Sequence, residues 1–305
     1  MTVRIGSVSL PNPVMTASGT AGHGAELAPY VDLGALGAVV VKSLAAFARA
    51  GNQAPRLHPT PAGMLTAVGL QGPGVAAWLR DDLPGLLQAG ARVVASIWGR
   101  TVEEYRAAAD LLARAPAEVV AVEVNLSCPN LEDRRHMFSH SATATREAME
   151  ATVGCGRPRW AKLGATTHEL PDIALAARDG GAEAVTLINT LLGLVLDPRT
   201  GRAVLGNGAG GLSGPAIHPV AVRAVFDVAA AAPDLPIVGV GGVATGEHAA
   251  ELLLAGAHAV QVGTATFADP RAPARVMAEL EAWAADRGLS SVAEAVGAAN
   301  RGGLP

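Results

Sequence analysis

Cysteine is nearly absent: a chain of 305 residues holds two, Cys128 and Cys155, too few for a disulfide framework. Aromatic residues are scarce as well, at 3%, so the core has to be assembled from Ala, Val and Leu, with 36 glycines permitting close approach of elements. There is no basic run and the formal net charge is -4, which removes the electrostatic field that draws a protein to nucleic acid. Long apolar stretches are missing too. None reaches the ~20 residues that span a bilayer, and no amphipathic helix precedes the first strand. The start Met1-Thr2-Val3-Arg4-Ile5-Gly6 lacks the apolar core of a signal peptide. These absences predict a cytoplasmic protein with neither nucleic acid nor membrane among its partners.

What is present is a repeat. A helix ending in Gly-Ala and followed by a short β-branched run occurs at Gly37-Ala38, Gly90-Ala91, Gly181-Ala182 and Gly256-Ala257. Gly just past a helix takes the left-handed cap at no steric cost, and the run that follows reads as a strand buried on both faces. With the remaining apolar runs, strands are predicted at 14–18, 38–42, 92–97, 119–125, 159–163, 184–189, 236–241 and 258–263. Helices are predicted at 74–89, 141–152, 171–179, 217–231, 246–255 and 270–286, and one more opens on the capping box Thr101-Val102-Glu103-Glu104. In that helix Tyr105, Ala108, Ala109 and Leu112 share a face. Strands alternating with helices, and no linker between halves, predict an α/β fold: one (β/α)8 TIM barrel occupying residues 1–305 as a single domain, with long βα loops at the C-terminal rim.

That architecture gathers the residues at the strand ends, Ser18, Lys42, Ser96, Asn125, Lys162, Asn189, Gly241 and Gly263, into one ring at the rim where barrels hold their active sites. The longest connections, 43–91, 126–140 and 190–216, are rich in Gly and Pro and are predicted to be binding loops or lids. Gly239-Val240-Gly241-Gly242-Val243-Ala244-Thr245-Gly246 and Val262-Gly263-Thr264 lie on adjacent strands, where backbone amides and a helix N-terminus can approach a phosphate. The spacing is not that of a dinucleotide fingerprint. Lys42 and Lys162 each close an apolar strand, and an ammonium in the mouth of a barrel calls for an anionic partner: a phosphate, a carboxylate or a reduced flavin ring. In Asn125-Leu126-Ser127-Cys128-Pro129-Asn130 a buried strand delivers amides and a thiol into its following loop. Cys128 is there either a nucleophile or base, or a small buried hydrophobe. Cys155, between two glycines, reads as structural. His136 and His140 are four apart without the glutamate of a zinc-protease motif, and no metal is expected.

With these residues in place, the chain resembles the class 1 dihydroorotate dehydrogenases, and within them the 1B type. The match runs from Asn12 to Phe267 through Asn12-Pro13-Val14, Ala17-Ser18-Gly19, Lys42-Ser43, Gly51-Asn52, Pro55-Arg56, Gly69-Leu70-Gln71 and the Asn125 to Asn130 segment. It continues through Ala161-Lys162-Leu163, Leu187-Ile188-Asn189-Thr190, Gly210-Gly211-Leu212-Ser213-Gly214-Pro215-Ala216-Ile217, Gly241-Gly242 and Gln261-Val262-Gly263-Thr264. The resemblance implies oxidation of dihydroorotate to orotate in pyrimidine biosynthesis, on a bound FMN. The cofactor phosphate would meet Gly241, Gly242, Gly263 and Thr264, with Gly214 nearby; its ring would meet Ser18, Lys42, Ser43, Ser96, Asn125, Lys162 and Ile188. The substrate pocket would comprise Lys42, Thr66, Ala67, Val68, Gly69, Leu70, Asn125, Asn130, Asn189 and Thr190. Cys128 falls on the catalytic base, and Lys162 would stabilise the reduced flavin. The resemblance further implies a separate iron-sulfur and FAD electron-transfer subunit, since this chain has no cysteine cluster for such a centre. A homodimer is the expected assembly.

The chain departs from the family at three places. Thr66 stands where the family usually has the fourth pocket asparagine, Leu131-Glu132-Asp133-Arg134-Arg135-His136 replaces a Gly-rich stretch, and Gly164-Ala165-Thr166 replaces Ser-Pro-Asn. The flavin site reads as whole and the substrate site as altered. Two alternatives follow: a flavoenzyme acting on another small cyclic amide or related ring, and a non-catalytic paralogue or partner subunit. Retention of Cys128 with both lysines argues against the second.

Overall fold

The computed structural model describes residues 1–127 and 137–304. Within them eight parallel strands form the barrel: β1 (Val14–Thr16), β2 (Val39–Val40), β3 (Val93–Ile97), β4 (Val119–Asn125), β5 (Arg159–Leu163), β6 (Ala184–Leu187), β7 (Ile237–Val240) and β8 (Ala259–Val262). They pair in the order β1-β8-β7-β6-β5-β4-β3-β2. The ring closes between β1 and β2, where Gly37 N–H donates to Val14 O at 2.8 Å and Val40 N–H donates to the Thr16 hydroxyl at 2.9 Å. All the predicted strands are there; 119–125 and 159–163 have the expected bounds and the other six are trimmed at their ends. Their Val, Ala and Ile runs are buried on both faces, as parallel strands under a helical layer must be.

The helical layer comprises α1 (Val75–Asp81), α2 (Leu83–Gln88), α3 (Val102–Leu112), α4 (Ala142–Ala151), α5 (Leu170–Asp179), α6 (His218–Ala231), α7 (Gly246–Ala255), the single turn α8 (Ala265–Ala268) and α9 (Ala272–Asp286). The helix expected over 74–89 is two helices, because Pro84 in the first turn of α2 has no N–H to continue α1. The expected capping box is half formed. Thr101 accepts from Glu104 N–H, but the Glu104 carboxylate turns to Arg100, taking its backbone N–H at 2.8 Å and its guanidinium at 2.8 Å. At the recurrent Gly-Ala joints Gly90, Gly181 and Gly256 have positive φ, whereas Gly37 serves close approach: a Cβ there would lie 2.5 Å from Asn12 O.

Among the features with no counterpart in the predicted elements, two bear on the barrel and its rim. A hairpin, Val3–Ile5 with Val8–Leu10, precedes the barrel and is held to the entry of β6 by Ser7, whose N–H and hydroxyl both donate to Glu183. More consequential for the rim, the connections expected to be irregular lids pair with each other. Leu57–Thr60, Gly63–Thr66, Gly210–Ser213 and Leu191–Gly193 make a four-stranded antiparallel sheet, with Thr66 opposite Gly211 and Leu191 opposite Leu212. This flap stands over the C-terminal ends of the barrel strands and forms one wall of the cavity there.

Candidate active site

A cavity of about 310 Å³ opens at the C-terminal rim, within the ~300–1,000 Å³ span of small-molecule sites. It brings together, from far apart in sequence, Ser18, Lys42, Ser43, Asn125, Lys162, Ile188, Gly214, Gly241, Gly242, Gly263 and Thr264 on the side predicted for a cofactor. Thr66, Ala67, Val68, Gly69, Leu70, Asn189 and Thr190, predicted for a substrate, line the same space. Ser96 does not reach the wall. It is fully buried, and its hydroxyl lies 2.9 Å from that of Ser43, so it orients a wall residue rather than forming one. Cys128, Asn130 and the segment 131–136, with Arg134, Arg135 and His136, lie outside the described residues; Ser127, on the wall, is the last one before them.

The polar floor is a chain of short bonds. Ser18 and Ser43 hydroxyls are 3.2 Å apart, Asn125 Nδ2 donates to Ser43 at 3.3 Å, and Asn189 Nδ2 donates to Asn125 Oδ1 at 2.9 Å. The end of β4 is braced from behind by α3, since the Tyr105 hydroxyl donates to Asn125 O at 2.6 Å. Two amides thus sit side by side with fixed orientation, each still able to offer a donor or an acceptor to a ring carrying imide groups. The Lys42 ammonium rests against Gly19, where a Cβ would come within 3.2 Å of Nζ.

The Thr66 to Leu70 segment hangs from the flap. Asn52 N–H donates to Val68 O, Asn52 Nδ2 to Ala67 O and Arg49 Nε to Gly69 O, all within 3.0 Å. Leu70 takes a φ of 55°, a left-handed conformation costly for a branched residue and tolerated where surrounding bonds impose it. Among the described residues the Thr66 hydroxyl has only Gly211 O, at 3.5 Å.

At the opposite corner Gly241 and Gly242 turn with φ of 140° and 68°, and Gly214 approaches so closely that a Cβ on Gly242 would fall 2.8 Å from Gly214 O. Bare backbone therefore lines the cavity here, the kind of cradle that accepts a phosphate. Thr264 adds a hydroxyl held at 2.8 Å from Ser213. At the start of α7, Gly246 N–H is taken by Glu279, Ala244 N–H by His248 Nδ1 and His248 N–H by Thr245. The helix N-terminus beside the cavity is that of α8, which follows the wall residues Gly263 and Thr264 and lies next to the glycine turn. His218, at the start of α6, secures that turn from below: Nδ1 lies 2.8 Å from Gly241 O and Nε2 lies 2.9 Å from Glu251.

Beneath the floor, Lys162 finds a partner that no strand-end pattern announces. Its Nζ is 3.7 Å from Glu123 Oε1 and 3.4 Å from Gln261 Oε1, while Gln261 Nε2 donates to Glu123 Oε2 at 2.8 Å. Glu123 is 0% exposed. A glutamate inside the apolar run of β4 was the available signal, because a buried carboxylate needs a reason to be there. Cys155 packs away from the cavity, where burial pushes its thiol up and so keeps it inert. His140 stands beside Thr166 at 2.6 Å. Among the described residues no cluster of metal-ligating side chains occurs, and no helix is long and apolar enough to cross a membrane.

A parallel barrel with a polar, glycine-lined cavity at its C-terminal rim has the architecture of a (β/α)8 enzyme. The chain belongs to the dihydroorotate dehydrogenase family, whose model, described as Dihydroorotate dehydrogenase, matches residues 1–283. It is similar to the Dihydroorotate dehydrogenase B (NAD(+)), catalytic subunit of Desulforudis audaxviator, 48% identical over 305 residues that cover 99% of this chain and 98% of that protein. The protein of the same name from Geobacter sulfurreducens is 43% identical over 302 residues, covering 98% and 97%. The family consists of oxidoreductases acting on a CH–CH donor.

Proposed function

We propose that the chain, acting as one barrel domain in the cytoplasm, binds FMN and oxidises dihydroorotate to orotate in pyrimidine biosynthesis. The observation that carries this reading is the convergence, in one cavity, of a glycine cradle, a buried lysine and an oriented amide pair. The cradle at Gly214, Gly241, Gly242, Gly263 and Thr264 fits a phosphate because its glycines leave backbone bare and Thr264 adds one hydroxyl, and the hydroxyl and amide donors of Ser18, Ser43 and Asn125 fit the polar edge of a flavin. When bound, FMN would accept a hydride from the substrate carbon next to the one that loses a proton. Cys128 would take that proton, Lys162 would sit beside the charge that accumulates on the cofactor, and Asn125, Asn130 and Asn189 would hold the imide and carboxylate groups, with Thr190 and the Thr66 to Leu70 segment closing over them. The names of the relatives above, a catalytic subunit with NAD(+), support a second, electron-transferring subunit; that it carries an iron-sulfur centre and FAD, and that this chain forms a homodimer, is what the resemblance to the 1B type implies.

The test is the visible spectrum of the purified protein: yellow, one FMN per chain, bleached anaerobically by dihydroorotate. A colourless protein that takes up no FMN on reconstitution overturns the reading. One feature favours a weakened grip on the substrate. Thr66 offers a single hydroxyl, 3.5 Å from its only partner among the described residues, where an amide could both donate and accept on a longer arm. Losing one hydrogen bond to a buried group costs ~1–3 kcal/mol, roughly five- to 150-fold. Thr66→Asn is therefore expected to speed single-turnover reduction of the flavin by dihydroorotate within that range. An ordinary enzymatic rate in the wild type with no gain on substitution shows that the pocket is complete as it stands. Fast reduction only after substitution directs the search to smaller or differently substituted rings.

A further inference from the structure

Glu123 sits in the middle of β4 among Val119, Ala121, Val122 and Val124, with no exposure to solvent. Side chains alternate along a strand, so Glu123 points the same way as Asn125, into the barrel and one layer below the cavity floor. Two further facts isolate what it does there. Gln261, from β8 across the barrel, donates to Glu123 Oε2 at 2.8 Å and accepts from Lys162 at 3.4 Å, so one amide bridges both charged groups. Glu123 Oε1, the atom nearest the ammonium at 3.7 Å, has no hydrogen-bond partner among the described residues. A fully buried carboxylate oxygen aimed at an ammonium and bonded to nothing is an electrostatic contact. It acts through charge.

We propose that Glu123 is a positioning residue for Lys162, and that its negative charge tempers the positive field which Lys162 exerts on the bound cofactor. This rests on the FMN reading above. An ammonium alone would favour any anionic form of the flavin strongly, whereas a carboxylate 3.7 Å away cancels part of that field at the cavity floor. Gln261 holds the two at fixed separation, so the balance is set by the fold.

Sulfite is the probe. Its sulfur lone pair bonds to flavin N5 and the added negative charge spreads over the pyrimidine side of the ring, so its dissociation constant reports the positive field there without turnover. Glu123→Gln keeps the shape and the bond to Gln261 but removes the charge, and is expected to tighten sulfite binding by about tenfold. Glu123→Asp keeps the charge and changes the shape, and is expected to stay within about threefold of wild type. If both variants change alike, or if Glu123→Gln leaves sulfite affinity unaltered, the residue is merely structural and the proposal fails. If Glu123→Gln yields no folded holoprotein, the same comparison is made on a background that lacks the lysine. Lys162→Gln with Glu123→Gln must then bind sulfite more tightly than Lys162→Gln alone, and equal affinities overturn the proposal. Wild-type protein that takes up no FMN overturns this proposal together with the reading on which it rests. FMN uptake with an unmoved sulfite constant overturns this one alone.

Discussion

Cys128→Ala retains its FMN and loses turnover by ~10²–10⁴-fold, the usual contribution of a positioned general base. The end of β4 is fixed by the Tyr105 hydroxyl on Asn125 O, and its continuation reaches the cavity at Ser127. Cys128 follows directly. A thiol with an ordinary pKa of ~8.5 is mostly protonated at neutral pH, and only its thiolate can accept a proton. Activity of the wild type should therefore climb with pH through that range as the fraction of thiolate grows. Cys128→Ser, with a far weaker acid in the same place, keeps a little activity at the alkaline end. Cys155→Ala is the control: that thiol is buried beside Arg157 O at 3.6 Å, and its burial pushes it further from ionisation. Its removal should leave the pH profile unchanged. Flavin content, read from the visible spectrum, separates chemistry from binding. A loss of under about tenfold in Cys128→Ala would assign the proton to another group, and a parallel fall in flavin content would return the cysteine to a packing role.

The barrel was legible because its strands are short runs of Val, Ala and Ile closed by polar residues, and because Gly-Ala punctuates the helix ends. The rim was legible for the same reason: a residue that ends a parallel strand must face the mouth, whatever lies between it and the next strand. What escaped has a common physical cause, the absence of any local period. Leu57-His58-Pro59-Thr60 is a short segment that carries a proline, and it becomes a strand only by pairing with Gly63–Thr66, which in turn pairs with the sequence-distant Gly210–Ser213. His218 looked like the start of a helix, and nothing in sequence places its ring 2.8 Å from Gly241 O. Ser96 lies one residue before the end of its strand, and Ser43 covers it. Glu123 was visible as a lone charge in an apolar run. Its meaning required the register that sets Asn125 opposite Lys162 and brings Gln261 across the barrel.

That register underlies the second large effect, on stability rather than turnover. Lys162→Met should lower the unfolding free energy of the FMN-free protein by about 3–5 kcal/mol, the cost of breaking a buried pair from one side. Wild-type Lys162 and Glu123 have side chains 7% and 0% exposed, so neither can turn to water when the other is removed. Methionine fills a volume close to that of the lysine stem, so little of the loss comes from a cavity. What remains, among the described residues, is a carboxylate with Gln261 as its single hydrogen-bond partner and an unbonded Oε1 facing a thioether. FMN is removed from every variant before denaturant unfolding, because a ligand that binds only the folded state would add its own stabilisation and mask the difference. Adding Glu123→Gln to Lys162→Met removes the stranded charge and leaves two amides able to bond each other, so the double variant should recover at least half of the loss. The signature is non-additivity: two residues in one network couple, and the double variant is more stable than the sum of the single losses allows. A loss of under about 1 kcal/mol in Lys162→Met would mean that water reaches the pair and screens it as it screens surface ion pairs. A double variant no better than the single one would mean that the lysine stem, through its packing, is what the floor of the cavity depends on.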